Sequence, residues 1–217
     1  MTRSRIAVVP AVLLAALAVT SCSSGSDDKP AKEANEQPIS KQFSQGEITQ
    51  AIPDRGEAPA GYDPGSLGKD RPGTADDCTH TEGGSPKGWA RAGDTNFFYN
   101  GSSRSRMMDL AVCQFDTPEN AKAAYTAWAT REGLTPVQAK QTSVGEESSF
   151  LVSKTGSVYA YTRSGTVNIE VKVADASEDA TAARDMAATV LKRLQQIQDG
   201  KRATATAGEI AAAAQKK

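Results

Sequence analysis

Few residues in this chain could do chemistry, and their spacing limits what each can do. His80 is the one histidine, so a Ser-His-Asp or Cys-His nucleophile would have to use it. It follows Cys78 by two residues in a Gly- and Pro-rich stretch, where a solvated or hydrogen-bonded histidine is a simpler expectation than a general base. Ser66-Leu67-Gly68-Lys69 has the Ser-x-x-Lys spacing of an acyl-transfer nucleophile, and Lys154-Thr155-Gly156 matches a second part of that set. The lysine activates such a serine from the next turn of a helix. Gly65 and Gly68 oppose that helix, the Ser-Asp-Asn third part is missing, and Lys154-Thr155-Gly156 fits a hairpin turn. The carboxylate pairs Asp76-Asp77, Glu146-Glu147 and Glu178-Asp179 fall in predicted loops or at a helix start, where solvation or the helix dipole accounts for them. No Gly-x-Ser-x-Gly, His-Glu-x-x-His, phosphate-loop or dinucleotide signature occurs. The expectation is a protein that is not an enzyme, with no catalytic residues, metal or cofactor.

Cysteine chemistry is more informative. The chain has three cysteines, Cys22, Cys78 and Cys113. Cys22 closes an N-terminal segment in which Arg3 and Arg5 precede an apolar run from Ile6 to Val19 and the small residues Thr20-Ser21, the order of a secretory signal. At about fourteen residues, that run is short of the roughly 20 needed to span a bilayer. Val19-Thr20-Ser21-Cys22 resembles the bacterial lipobox. That resemblance implies cleavage after Ser21 and a diacylglycerol thioether on Cys22, which anchors the mature chain; the alternative is an ordinary secreted protein in which Cys22 is incidental. Cys78 and Cys113 then remain as an even pair in an oxidising compartment, which predicts a disulfide. A metal site would want more ligands than two thiols and one histidine.

Loss of Arg3 and Arg5 turns the chain's 25 basic residues into 23 against 26 acidic ones, a net charge near −3. Nucleic-acid binders carry a basic patch, so nucleic acid is not an expected partner. The Ala-, Gly- and Thr-rich composition is actinobacterial in character, which places the anchor in the cell membrane with the chain facing out.

The elements that must position any site follow from composition and period. Residues 1–21 read as the signal peptide and 22–42 as a lipidated, disordered tether with almost nothing to bury. Residues 43–202 read as one α+β domain, and 203–217 as a flexible or frayed helical tail. Pro53 to Lys87 is predicted to be irregular. Thr95–Tyr99 and Met107–Phe115 read as a hairpin turning at Asn100-Gly101, with Met108, Leu110 and Val112 opposite Ala111, Cys113 and Phe115. Thr117-Pro118-Glu119 starts a helix carrying Ala121, Ala124, Tyr125 and Trp128, with Gly133 closing it. Strands follow at Phe150–Ser153, Ser157–Thr162 and Thr166–Val173. A second helix, from about Ser177 to Gln198, carries Ala183, Met186, Val190, Leu194 and Ile197. The predicted fold is a twisted antiparallel sheet with both helices packed on one face, preceded by a loop-rich section.

The last strand alternates Val167, Ile169, Val171 and Val173 with Asn168, Glu170 and Lys172, the pattern of a sheet with one face buried and one wet. Tyr159, Tyr161 and Arg163 are expected on the wet face beside Glu170 and Lys172. Tyrosine and arginine are favoured contact residues, so this face is a candidate for a ligand or partner; a cross-strand ladder stabilising an exposed sheet is the plainer reading. Trp89, in a Gly-rich loop, is a second candidate, either as a binding residue or as a cap over the core.

Asp109-Leu110-Ala111-Val112, the helix through Trp128, Val144-Gly145-Glu146-Glu147-Ser148, the turn Arg163-Ser164-Gly165-Thr166-Val167 and the closing helix together resemble the small extracytoplasmic domains of actinobacterial lipoproteins. They also resemble the sensor domains of that group's membrane Ser/Thr kinases, which carry two disulfides where this chain has cysteines for one. The resemblance implies recognition of an envelope ligand or protein. The expected function is therefore a membrane-anchored binding or sensor module; a structural lipoprotein docking on a membrane protein and an envelope hydrolase are the alternatives.

Overall fold

The computed structural model describes residues 37–79, 84–100, 106–138 and 141–216. The signal segment, Cys22, His80 and the turn residue Gly101 lie outside them. The eight strands among the described residues join one antiparallel sheet. They are β1 (Tyr62–Pro64), β2 (Pro72–Gly73), β3 (Trp89–Tyr99), β4 (Met108–Phe115), β5 (Leu134–Pro136), β6 (Glu147–Ser153), β7 (Val158–Ser164) and β8 (Val167–Val173). Their order across the sheet is β1-β3-β4-β8-β7-β6-β5, with β2 also paired to β3. The helices are α1 (Gln45–Ala51), α2 (Pro118–Ala129), α3 (Thr181–Gln198) and α4 (Ala207–Ala214). The α+β class and the antiparallel sheet are as predicted.

Alternation along the strands builds two cores. Met108, Leu110 and Val112 of β4 join Val158 and Ala160 of β7 and the four apolar residues of β8 against α1 and α3. Cys113 and Phe115 join Tyr159 and Tyr161 on the opposite face, against Ala121, Ala124, Tyr125 and Trp128 of α2. The expected placement of both helices on one face is thus corrected. An amphipathic stripe requires a helix to bury one side but does not say which side of a sheet receives it.

The sheet is longer than the sequence pattern suggests. Strand β3 begins at Trp89, not Thr95, and Phe97 faces Met108. The facing ends of the hairpin strands, Tyr99 and Met108, fall within one residue of the expected Tyr99 and Met107. Lys154-Thr155-Gly156 is the β6–β7 turn, with Gly156 at φ 78°.

The domain also extends beyond both predicted limits. Ile39, assigned to the tether, is 1% exposed, and its carbonyl accepts from the Thr166 amide at 2.9 Å. Gln198 Oε1 accepts from the amides of Ser40 (2.8 Å) and Lys41 (3.1 Å). The fully buried Gln114 accepts from the Phe43 amide and donates to the Lys41 carbonyl. Side-chain amides thus pair this segment's main chain, so it needs few apolar residues of its own. Gly165 (φ 54°) makes room for it, since a Cβ there would sit 1.8 Å from the Ile39 carbonyl oxygen. Ser44 and Glu47 then form a reciprocal capping box that starts α1, a helix the sequence pattern did not predict, ahead of the section from Pro53 expected to be irregular.

At the other end, Ala203, Ala205 and Ala207 are buried, and Thr206 with Glu209 caps α4. The region after Arg202 is therefore a packed segment and helix, not a flexible tail. Arg193 fastens it: from α3 this buried guanidinium donates to Glu57 (2.9 Å), the Ala205 carbonyl (3.1 Å) and the Gln50 carbonyl (3.0 Å).

Candidate functional site

The sheet face carrying Tyr159, Tyr161, Arg163, Glu170 and Lys172 is not the open surface expected. Helix α2 covers half of it. Asn168 is fully buried and donates to the Ala121 carbonyl of α2 at 2.8 Å. Tyr161 lies between Trp128 (5.6 Å between ring centroids) and Tyr159 (5.9 Å), and Arg131 sits over the Tyr159 ring. Burial pushes the Tyr161 hydroxyl far above its ordinary range. Arg163 is spent on Glu147 (2.5 Å), Glu146 (3.2 Å) and the Gly165 carbonyl (3.3 Å). Tyr159, Tyr161 and Arg163 are therefore core and turn residues. Trp89 opens β3 opposite Phe115 and packs half-buried against the same cluster, as a cap.

Cys78 and Cys113 form the expected disulfide, with their Cα atoms 5.8 Å apart. It ties a short 3-10 turn, Asp76–Cys78, to β4. Trp128 Nε1 donates to the Cys78 carbonyl at 3.3 Å, so α2 and the disulfide loop brace one another.

Beyond the reach of α2 the same face opens into a polar cleft of about 410 Å³. Glu170 and Lys172 line it with Asp94, Asp109, Asp77 and Arg71. Its charges meet at ion-pair distance, Lys172 with Asp109 and Arg71 with Asp94, both at 3.7 Å. Burial raises the pKa of Asp94 and of Asp109. Among the described residues no group of three or more His, Cys, Asp or Glu side chains is placed to hold a metal.

A second cavity, of about 290 Å³, has a different character. It lies where the ends of β1, β3 and β8 meet the first turns of α3 and one side of α4. Tyr62, Tyr99, Val173, Ala176, Ala182, Ala207 and Ala211 make mostly apolar walls, and Asp185, Asp179 and Arg106 supply charge. Tyr62 and Tyr99 pack edge to face, with ring centroids 5.2 Å apart, and the Arg106 guanidinium lies 5.3 Å from the Tyr99 centroid. Asp179 is held below its ordinary carboxylate value by the Thr181 amide and hydroxyl. Asp185 goes the other way, raised by burial against the pull of Arg184, which donates to its Oδ1.

Two polar residues of this lining are largely buried, Tyr62 at 6% exposed and Asp185 at 5%. Of the lining residues Arg106 holds a positive φ, as do Asp175, Ser177 and Glu178 in the connection from β8 to α3; such backbone costs roughly 1–3 kcal/mol per residue.

A scan against protein-family models found no match, and a search of curated proteins found none. Among solved structures, the chain is similar to the extracellular domain of PknH from Mycobacterium tuberculosis. The two share 15% identity over 75% of this chain and 100% of that one, with a TM-score of 0.49.

The sequence reading missed this second cavity because its lining comes from five separated segments, and five of its residues are alanines. The legible signals were Asp185, placed beside the apolar stripe of α3, and Tyr62 and Tyr99. The other sequence candidates resolve as scaffold. Lys69 pairs with Asp54, and Ser66 lies in a loop, so no helical turn sets Ser66 against Lys69. Asp77 accepts from the Thr74 amide and hydroxyl, and Glu146 accepts from the Gly165 amide. No described helix is long and apolar enough to cross a membrane.

Proposed function

We propose that this chain is a lipid-anchored extracytoplasmic binding or sensor module, holding a small envelope ligand in the cavity between the sheet end, α3 and α4. The carrying observation is the cavity itself: apolar walls around a few converging polar groups, with Tyr62 and Asp185 among its largely buried lining residues. Ligand pockets are built this way, and about 290 Å³ lies at the small end of their usual range of roughly 300–1,000 Å³. The lipobox-like Val19–Cys22 supports membrane anchoring through Cys22, and the Cys78–Cys113 disulfide suits an oxidising compartment. Binding without turnover fits the structural use of the carboxylate pairs and of Lys69. Docking on another membrane protein would call for an exposed apolar patch; among the described residues Leu67 is the exposed large hydrophobic side chain.

Native mass spectrometry of the protein released from its own envelope tests this reading. The expected result is a defined extra mass that is lost on denaturation and absent from Ala211→Trp, which fills the cavity from α4. A bare protein mass in both forms overturns it. Palmitate labelling that survives Cys22→Ser overturns the anchoring.

A further inference from the structure

Which ligand the cavity takes follows from how its charges are already used. We infer that the cavity takes a neutral apolar body the size of a naphthalene, aromatic or acyl, with no charged group inside the rim. This rests on reading the cavity as the binding site and names the class of molecule held there.

Each charge on the lining is matched by the protein itself. Asp185 pairs with Arg184, which donates to its Oδ1. Asp179 accepts from the Thr181 amide at 3.0 Å and is drawn by Arg106. The Arg106 guanidinium also lies over the Tyr99 ring, 5.3 Å from its centroid. A charged ligand would therefore leave water without an opposing charge to meet it, which is costly in an apolar enclosure. What the lining leaves partly uncovered is apolar: the Tyr99 ring and the methyl groups of Ala182 and Ala211. Covering such surface stabilises by about 25 cal/mol per Å². The size is set by the volume, since about 290 Å³ is near twice the roughly 150 Å³ in which an apolar protein cavity holds one benzene. A protein partner would call for an apolar patch continuing beyond the rim. Among the described residues the exposed large hydrophobic side chain is Leu67, and it lines the polar cleft instead.

The test uses residues 22–217 with Cys22→Ser, so that the mature chain is whole but unlipidated. Three probes share one naphthyl body and differ in charge: 2-naphthylmethanol, 2-naphthylmethylammonium and 2-naphthoate. A fourth, monodecanoylglycerol, presents a neutral acyl chain in place of the rings. Amide chemical shifts report both affinity and place. The naphthyl alcohol is expected to shift the amides around Tyr62, Ala182 and Ala211, with the ammonium and the carboxylate both weaker by about tenfold or more. Ala211→Trp should abolish those shifts. Ala211→Leu, a milder filling, should weaken the alcohol several-fold, and it serves as the test if Ala211→Trp does not fold. Monodecanoylglycerol binding at the same amides more tightly than the alcohol supports the neutral class with an acyl source; the reverse order supports it with an aromatic one. Either charged probe binding in the cavity as tightly as the alcohol overturns the neutral class while leaving the cavity as the site. Shifts confined to the cleft at Asp94 and Asp109, or no cavity shifts with any probe, overturn both.

Discussion

Glu47 shows how one side chain can serve two elements. The Lys41 ammonium and the Ser44 amide hold its carboxyl down, from 4.5 to about 2, so it joins the chain entering the domain to the start of α1. Because the folded form gives up this proton more readily than the unfolded form, its contribution is fully present above about pH 4.5 and is lost as pH falls toward about 2. Asp94, Asp109 and Asp185, raised by burial, act with the opposite sign and become less costly as they protonate. Glu47→Gln should therefore flatten the acid decline in urea-unfolding stability between those limits. Arg193 is the other residue whose loss would spread, because it donates to three separate segments. Removing one partner of a buried ion pair costs about 3–5 kcal/mol. Arg193→Ala should approach that loss in thermal unfolding and release α4 from α3. The disulfide, with a sequence separation of 35, should contribute roughly 4 kcal/mol by the chain-entropy estimate, read as the difference between oxidised and reduced unfolding curves.

At the scale of elements, the terminal segments matter more than their composition suggests. Residues 38–42 and 203–205 are held by side-chain amides, from Gln114, Gln198 and Gln196, that reach out from the sheet and α3. A chain begun at Phe43 should lose about 1.5–3 kcal/mol from Ile39 alone, measurable by denaturant titration against a chain begun at Gln37. Gly165→Ala should cost more in the long chain than in the short one, because the new methyl meets the Ile39 main chain only in the former, while the positive φ strains alanine in both. Hydropathy could not reveal these segments, since main-chain pairing to glutamine side chains leaves no apolar period. Helix α1 was better marked. Ser44 and Glu47 have capping-box spacing ahead of Ile48 and Ile52, but at seven residues the helix is too short for periodicity to register.

For the whole molecule, what the strands look like was readable and what covers them was not. Val167 to Val173 alternate as expected, and the pairing of Cys78 with Cys113 followed once Cys22 was assigned elsewhere. The same alternation placed Tyr159, Tyr161 and Arg163 together on the second face. It could not show that α2 lies over them, leaving only Glu170 and Lys172 in the open. The cavity was hidden for a related reason: it is made by the meeting of sheet end, α3 and α4, and no single segment carries its signature. Hydrogen exchange would test the account most directly, comparing protein purified natively from its envelope with the same protein unfolded, stripped and refolded. Slower exchange in the native sample at Ala60–Tyr62, the first turns of α3 and α4 is predicted, with the polar cleft unchanged. Protection at Asp94 and Asp109 instead, or identical exchange throughout, would contradict it.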